Sequence, residues 1–291
     1  MRISEAVIII CLFIFFHTTY CKSVENSPAY GYHLKTGVPE ALRIWSKEVQ
    51  RQSSRIVGGN QVTAATAIPY QAGIIARLTS GQSSVCGGSL ISATRVLTAA
   101  HCWFDGQSKA RQFTIVLGSL TIFSGGTRID TTDVTMHPSW NYLLNDIAMV
   151  KIAAVKFSNT IAVIPLPTTA DVNQNFAGVT GQVSGFGKNS DAQNSFPATT
   201  SLHQTAVPII TNDVCQKSFK VPIVATHVCT GGTGGKGTCD GDSGGPLTVV
   251  HQNKRILVGV VSFGPGEGCQ AGSPSVFTRV TQFLPWINSH L

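Results

Sequence analysis

The chain has 291 residues, enough for one large domain or two smaller ones, each with a sizeable hydrophobic core. Only 12% of the residues are charged, 43% are hydrophobic and the mean hydropathy is +0.16, which excludes an intrinsically disordered chain. The net charge of +7 is spread along the chain, and no Lys/Arg run is interleaved with aromatic residues. The charge therefore does not predict nucleic-acid binding.

The N-terminal residues have the layout of a secretory signal peptide. Arg2 precedes an apolar stretch over residues 6–16, and small or polar residues follow it. We expect residues 1–21 to be removed and the product to be secreted into the extracellular space. Elsewhere no apolar run approaches the roughly 18 residues of a membrane-spanning helix, so we predict no membrane anchor.

The cysteine content agrees with an oxidising compartment. Of the eight cysteines, Cys11 lies inside the apolar stretch and Cys21 stands at its expected cleavage site. The remaining six form an even set suited to three disulfides, although the sequence by itself leaves many pairings open. These six are Cys86, Cys102, Cys215, Cys229, Cys239 and Cys269.

Residues 22–55 form a polar pre-segment that ends at a single basic bond. The composition changes sharply at Arg55, where the sequence continues as Ile56-Val57-Gly58-Gly59. On composition alone this is a linker that enters a first strand. We therefore place a domain boundary between residues 55 and 56.

Beyond this boundary the pattern is that of an all-β protein. Short Val/Ile/Thr-rich runs alternate with Gly/Asn/Asp/Ser clusters, as expected for strands joined by turns. The clearest runs cover residues 71–78, 95–99, 113–117, 147–152 and 256–261. Near the end, the spacing of Phe283, Leu284, Trp286 and Ile287 predicts a short C-terminal helix with Pro285 in its first turn.

Three short motifs supply the groups that amide hydrolysis requires. His101 stands in the stretch TAAHC, Asp146 opens the apolar run DIAMV, and Ser243 is surrounded by glycines in GDSGGP. A serine hydroxyl needs a base to accept its proton, and an imidazole needs a carboxylate to orient it. Backbone N–H groups of the glycine-rich loop, from Gly241 and Ser243, can stabilise the oxyanion that develops.

With these motifs in the order His, Asp, Ser, residues 56–291 resemble the chymotrypsin-like serine protease family. The resemblance implies two antiparallel Greek-key β-barrels, about residues 56–165 and 166–280, with the active site in the cleft between them. It implies that Ser243 is the nucleophile, His101 the general acid and base, and Asp146 the carboxylate that orients the imidazole.

The resemblance also gives the Arg55–Ile56 bond a role in activation. In this family, cleavage at this place frees an α-amino group that turns inward and pairs with the acidic residue before the nucleophile, here Asp242. Residues 22–55 are then an activation propeptide, and Arg55 makes a trypsin-like protease the expected activator. The propeptide contains no cysteine, so no disulfide can hold it after cleavage.

By the same resemblance, three disulfides are expected, each bracing a catalytic or pocket loop. The implied pairs are Cys86–Cys102, Cys215–Cys229 and Cys239–Cys269.

Substrate specificity is expected to follow from five pocket positions. By the same resemblance, Gly237 occupies the floor position where an aspartate would select Lys or Arg, and no carboxylate is there to compensate a cation. The wall is expected from Ser262, Phe263 and Gly264, and Ser275 completes the pocket. This combination favours cleavage after large apolar or aromatic residues, as in digestive chymotrypsins, with elastase-like or collagenolytic specificity as the alternative.

Other classes of function stay open at this point. A non-catalytic homologue acting as a binding protein is one alternative, although such proteins usually lose a triad residue. A regulatory protease is another, although residues 22–55 are too few and too Cys-poor for a disulfide-bonded module. We expect protein or peptide substrates, an activating protease, protein inhibitors as candidate partners, a monomeric state, and no cofactor, metal or membrane partner.

Overall fold

The computed structural model describes residues 29–51, 68–188, 201–264 and 268–291. The expected signal peptide and the Arg55–Ile56 bond lie outside the described residues. Within these ranges every helix is too short or too polar to cross a lipid bilayer.

The first half of the catalytic region is a curled, seven-stranded antiparallel sheet. Its strand order is β5-β4-β1-β2-β3-β7-β6. Ile74, Leu90, Val96 and Ile115 share one face of this sheet by the strand registers, and all four are fully buried. The strands are β1 (Gln71–Leu78), β2 (Ser83–Ser92), β3 (Arg95–Thr98), β4 (Ala110–Leu117), β5 (Thr127–Thr131), β6 (Val134–Met136) and β7 (Ala148–Lys151).

The second half is a closed six-stranded antiparallel barrel with the order β10-β13-β12-β11-β8-β9. Closure leaves the sheet without a free edge. The prediction of two antiparallel barrels is confirmed, with the first one open as a half-barrel, and all five predicted runs fall on strands. The strands are β8 (Thr180–Gly185), β9 (His203–Ile210), β10 (His227–Thr230), β11 (Pro246–His251), β12 (Lys254–Phe263) and β13 (Ser275–Arg279).

Helices are few, and the predicted C-terminal helix is present. The pre-segment contains α1 (Val38–Arg51), and a short α2 (Asn212–Gln216) precedes β10. At the end, a 3-10 turn at Val280–Phe283 continues into α3 (Leu284–Asn288), with a proline in the first turn. Its buried residues join the core of the first sheet.

The pre-segment departs from the expected linker because it folds onto the first half-barrel. A π-helical turn at His33–Gly37 leads directly into α1. Val38, Ala41 and Ile44, spaced three residues apart, are buried in the same core cluster as β1, β2 and β4. The segment therefore carries an amphipathic helix, and its polar average composition conceals the apolar stripe.

The described residues contain three disulfides, one within the first half-barrel and two within the second barrel. They join Cys86 to Cys102, Cys215 to Cys229, and Cys239 to Cys269. These are the pairs that the family resemblance implies.

Candidate active site

His101 lies on a short 3-10 turn, Ala100–Cys102, between β3 and β4. The disulfide between Cys86 and Cys102 fastens this turn to β2. The imidazole Nδ1 lies 2.7 Å from Asp146 Oδ2, and the backbone N–H of His101 donates to Asp146 Oδ1 at 2.9 Å. The same carboxylate thus orients both the ring and the backbone that carries it.

Asp146 belongs to the first half-barrel but is held by the second. The Ser262 hydroxyl on β12 donates to Asp146 Oδ2 at 2.6 Å, and the Thr278 hydroxyl on β13 donates to the Asp146 carbonyl at 2.8 Å. Burial raises the pKa of Asp146, but the neighbouring His101 and the hydrogen bonds from His101 and Ser262 outweigh it, and the net pKa is lowered. The group is therefore a buried carboxylate that stays ionised.

Ser243 lies on the glycine-rich turn that leads into β11. The N–H of Gly87 on β2 donates to its carbonyl at 2.7 Å, which joins this turn of the second barrel to the first. Gly241 has φ +94°, a backbone conformation that side chains rarely adopt, so the tight turn before the nucleophile requires glycine. The Ser243 carbonyl lies 3.7 Å from Sγ of Cys102, next to His101.

The expected hydrogen bond between Ser243 and the His101 imidazole is not formed. Among the described residues, Nε2 of His101 has no hydrogen-bond partner although it is buried. The structure therefore brings His101 and Asp146 into contact and places Ser243 beside them, but it does not join Ser243 to the imidazole.

The sulfur atoms beside His101 offer no metal site. Cys86 and Cys102 place their sulfurs within 4.8 Å of an imidazole nitrogen of His101. Both sulfurs are bonded to each other, so neither is a thiolate that could ligate a metal.

Asp242 is a part-buried acidic residue that the described part of the chain leaves without a cationic partner. Its oxygens accept the N–H groups of Gly187 at 2.8 Å and Cys239 at 3.0 Å. Burial raises its pKa to about 6, although these two hydrogen bonds act in the opposite direction. A cavity of about 220 Å³ adjoins it, lined in part by Lys188 and Gly237.

The expected pocket residues lie on adjoining strands and loops of the second barrel. A Cβ atom placed on Gly237 would lie 3.2 Å from the Ser275 hydroxyl, so these two residues face each other. A Cβ on Gly264 would meet no atom of the described residues within 4 Å. Phe263 is buried and packs edge-on against Phe219, with ring centroids 5.6 Å apart.

The family model described as Trypsin matches residues 56–287, which is most of the chain. This chain belongs to the trypsin family. It is a serine protease of the hydrolase class, and the resemblance that the motifs carried is confirmed.

Arthropod proteases are among the relatives of this trypsin-family chain. A collagenase of Hypoderma lineatum is 35% identical over 243 residues, which cover 82% of this chain and 88% of the relative. A brachyurin of Leptuca pugilator is 40% identical over 210 residues, covering 70% and 86%. A solved collagenase structure superimposes with a TM-score of 0.71 at 35% identity, covering 81% of this chain and 98% of the other.

The trypsin-family site is covered by a residue that sequence reasoning missed. The ring of Tyr32, from the pre-segment, packs edge-on against the His101 imidazole with centroids 4.7 Å apart. Its hydroxyl donates to the Val85 carbonyl at 2.8 Å. Burial raises the pKa of the phenol, and a side-chain hydrogen bond from Ser243 opposes this rise. The Tyr32 side chain therefore lies against the His101 imidazole and close to Ser243.

Ser262 is a second residue whose contact was not anticipated. Sequence reasoning assigned it to the pocket wall, whereas its hydroxyl bonds to Asp146. No local motif distinguishes these two roles, because the contact spans 116 residues of sequence.

Proposed function

We propose that this protein is a secreted serine endopeptidase, made as a zymogen and activated by cleavage between Arg55 and Ile56. The observation that carries the proposal is the buried hydrogen bond between His101 Nδ1 and Asp146 Oδ2, directly beside the Ser243 turn. We further propose a monomeric extracellular enzyme that acts on proteins or peptides and is a target of protein inhibitors.

In the proposed mechanism, His101 accepts the hydroxyl proton of Ser243 while the serine oxygen attacks the substrate carbonyl carbon. Asp146 stabilises the imidazolium that forms and keeps its Nδ1 proton in place. Backbone N–H groups of Gly241 and Ser243 bind the oxyanion, and losing one such donor typically costs about 10²–10³ in turnover. His101 then returns the proton to the leaving amine, and water hydrolyses the acyl-enzyme by the same steps.

Activation is proposed to depend on the carboxylate of Asp242. Cleavage at Arg55–Ile56 frees an α-amino group, and the cavity beside Asp242 has room for it to enter. A buried, ionised carboxylate without a cationic partner destabilises the fold. Once the ion pair has formed, removing one partner costs about 3–5 kcal/mol of stability. The pair therefore acts as a switch that organises the pocket and the oxyanion donors.

Specificity for large apolar or aromatic residues is proposed from the absence of charge at the pocket floor. Gly237 offers no carboxylate, and Ser275 opposite it is small and neutral. Among the described residues, the space at Gly264 leaves room for a bulky side chain. Together with Ser262 and Phe263, these residues form the proposed substrate-binding pocket.

Collagenolytic activity is a second candidate, favoured by the names of two relatives. A collagenase and a brachyurin match this chain over 82% and 70% of its length. Cleavage of native collagen, compared with cleavage of the same collagen after heat denaturation, would separate this activity from general proteolysis.

The proposal is tested on the full chain after treatment with trypsin. The N-terminus of the processed chain should read Ile-Val-Gly-Gly, and a fluorophosphonate should label Ser243 stoichiometrically once the N-terminal fragment has been separated from the chain. A Ser243→Ala chain, processed in the same way, is the control and should not be labelled. Active material that still contains an intact Arg55–Ile56 bond would contradict the zymogen scheme.

A panel of peptide substrates that differ only in the residue before the scissile bond tests the pocket. Fastest hydrolysis after Phe, Tyr, Leu or Met is expected. Preference for Lys or Arg would overturn the assignment of Gly237 as an uncharged floor, and preference for Ala or Val would favour the elastase-like alternative.

A further inference from the structure

Residues 29–51, which we call the cover segment, lie directly on the catalytic groups. Tyr32 is 5% exposed and contacts the His101 ring, the Val85 carbonyl and the Ser243 side chain. An aromatic ring packed against the catalytic imidazole takes up space that a substrate needs in order to approach His101. The cover segment therefore does more than precede the cleavage site.

His33, next to this tyrosine, fixes the segment by two polar contacts. Its N–H donates to Asp105 Oδ2 at 2.7 Å, and its Nδ1 lies 2.9 Å from the Ser84 hydroxyl. The side chain is fully buried. At Gly37 a Cβ atom would lie 1.9 Å from Ser84 Oγ, so the close approach of the segment to β2 requires glycine.

The far end of the cover segment has a second polar anchor. Glu48 is buried, and its carboxylate accepts N–H groups of Ile122 at 2.8 Å and Phe123 at 3.0 Å. It also accepts the Ser124 hydroxyl at 2.9 Å. These bonds hold the Glu48 carboxylate inside a loop of the first half-barrel. Hydrogen bonds to an ionised carboxylate are stronger than hydrogen bonds between neutral groups.

A third anchor joins the cover segment to the second barrel. The Glu40 carboxylate, 3% exposed, lies 3.3 Å from the ammonium group of Lys188, which also pairs with Asp240 at 2.8 Å. The segment thus bridges both sides of the cleft. The three anchors and the apolar stripe of α1 are all non-covalent, and residues 22–55 contain no cysteine.

From these contacts we propose that the cover segment is a cleft-binding inhibitor, seated against His101 and beside Ser243, that stays on the enzyme after cleavage until it dissociates. This inference rests on the proposed activation at Arg55–Ile56. Cutting that bond is then insufficient for full activity, and the free peptide inhibits the processed enzyme in trans. A helix of 14 residues is marginal by itself in water, so the peptide orders as it binds.

The test uses the full chain, processed with trypsin and freed of its N-terminal fragment by chromatography under mild denaturant. A synthetic peptide of residues 29–51 should inhibit peptide hydrolysis competitively. The peptide carrying Tyr32→Ala should inhibit about 10- to 100-fold more weakly, because it loses the ring contact, the burial and the hydrogen bond. Leu42→Ala is the matched control, since Leu42 is 62% exposed on α1 of the same peptide, and should inhibit like the parent peptide.

Two results would overturn the inference: an active processed enzyme that the peptide does not inhibit, or equal inhibition by the parent and Tyr32→Ala peptides. A processed protein that neither hydrolyses peptides nor reacts with a fluorophosphonate would contradict the proposed function instead. In that case calorimetry of the two peptides on the same protein still decides whether Tyr32 anchors the cover segment.

Discussion

Acidification is expected to release the cover segment through His33. Burial lowers the pKa of this imidazole to about 4, and the nearby His101 acts in the same direction, whereas Asp105 partly opposes both. In the free peptide the imidazole has an ordinary pKa near 6.5. The free peptide therefore binds the proton more readily than the bound peptide. The affinity of the cover segment for the enzyme is accordingly maximal above about pH 7 and falls as the pH drops from 6.5 towards 4.

The size of the effect follows from these two pKa values. Between pH 7.5 and pH 5 the dissociation constant of the segment should rise about 30-fold, or about 2 kcal/mol of binding free energy. His101 and Asp105 are the titratable groups that face His33, and they act on its pKa in opposite directions, His101 lowering it and Asp105 raising it.

Binding has to be measured without relying on catalysis, because catalysis itself varies with pH. A fluorescent peptide of residues 29–51 is titrated by anisotropy with the processed Ser243→Ala chain at pH 7.5, 6.5, 5.5 and 5.0. The His33→Gln peptide, which keeps a polar group towards Ser84, should show a much flatter profile. Equal affinity of the parent peptide at pH 7.5 and pH 5, or the same decline for both peptides, would refute the reasoning.

Three further expectations concern the enzyme itself. Asp146→Asn places an amide N–H₂ group against the His101 Nδ1 proton. In steady-state assays it should lower kcat about 10⁴-fold with little change in KM, as is typical of this substitution in the family. An unchanged kcat would contradict the assigned role. Gly237→Asp should move preference towards Lys and Arg in the peptide panel, and an unaltered preference would count against the pocket assignment. Replacing Cys215 and Cys229 by Ala removes a bridge across 14 residues and should reduce the free energy of unfolding in urea by about 3 kcal/mol; an unchanged free energy of unfolding would contradict this expectation.

Much of the fold could be predicted because its signals are local. Val/Ile/Thr-rich runs that alternate with turn residues identify strands. Strand β1 is an example, because its predicted range of 71–78 agrees with the structure. Pro285 followed by apolar residues marks the final helix in the same way. The open first half-barrel could not be predicted, since closure depends on hydrogen bonds between strands that are distant in sequence.

The catalytic candidates were also recognisable, because each stands in a short motif whose residue types the chemistry requires. The sequence therefore determined an all-β, trypsin-family serine protease and pointed to His101, Asp146 and Ser243. It could not reveal that Tyr32 lies against the imidazole or that Glu48 anchors the segment, because these contacts join residues that are 50 or more positions apart. Such contacts are made by surface shape and burial after the chain has collapsed, and only the tertiary structure decided them.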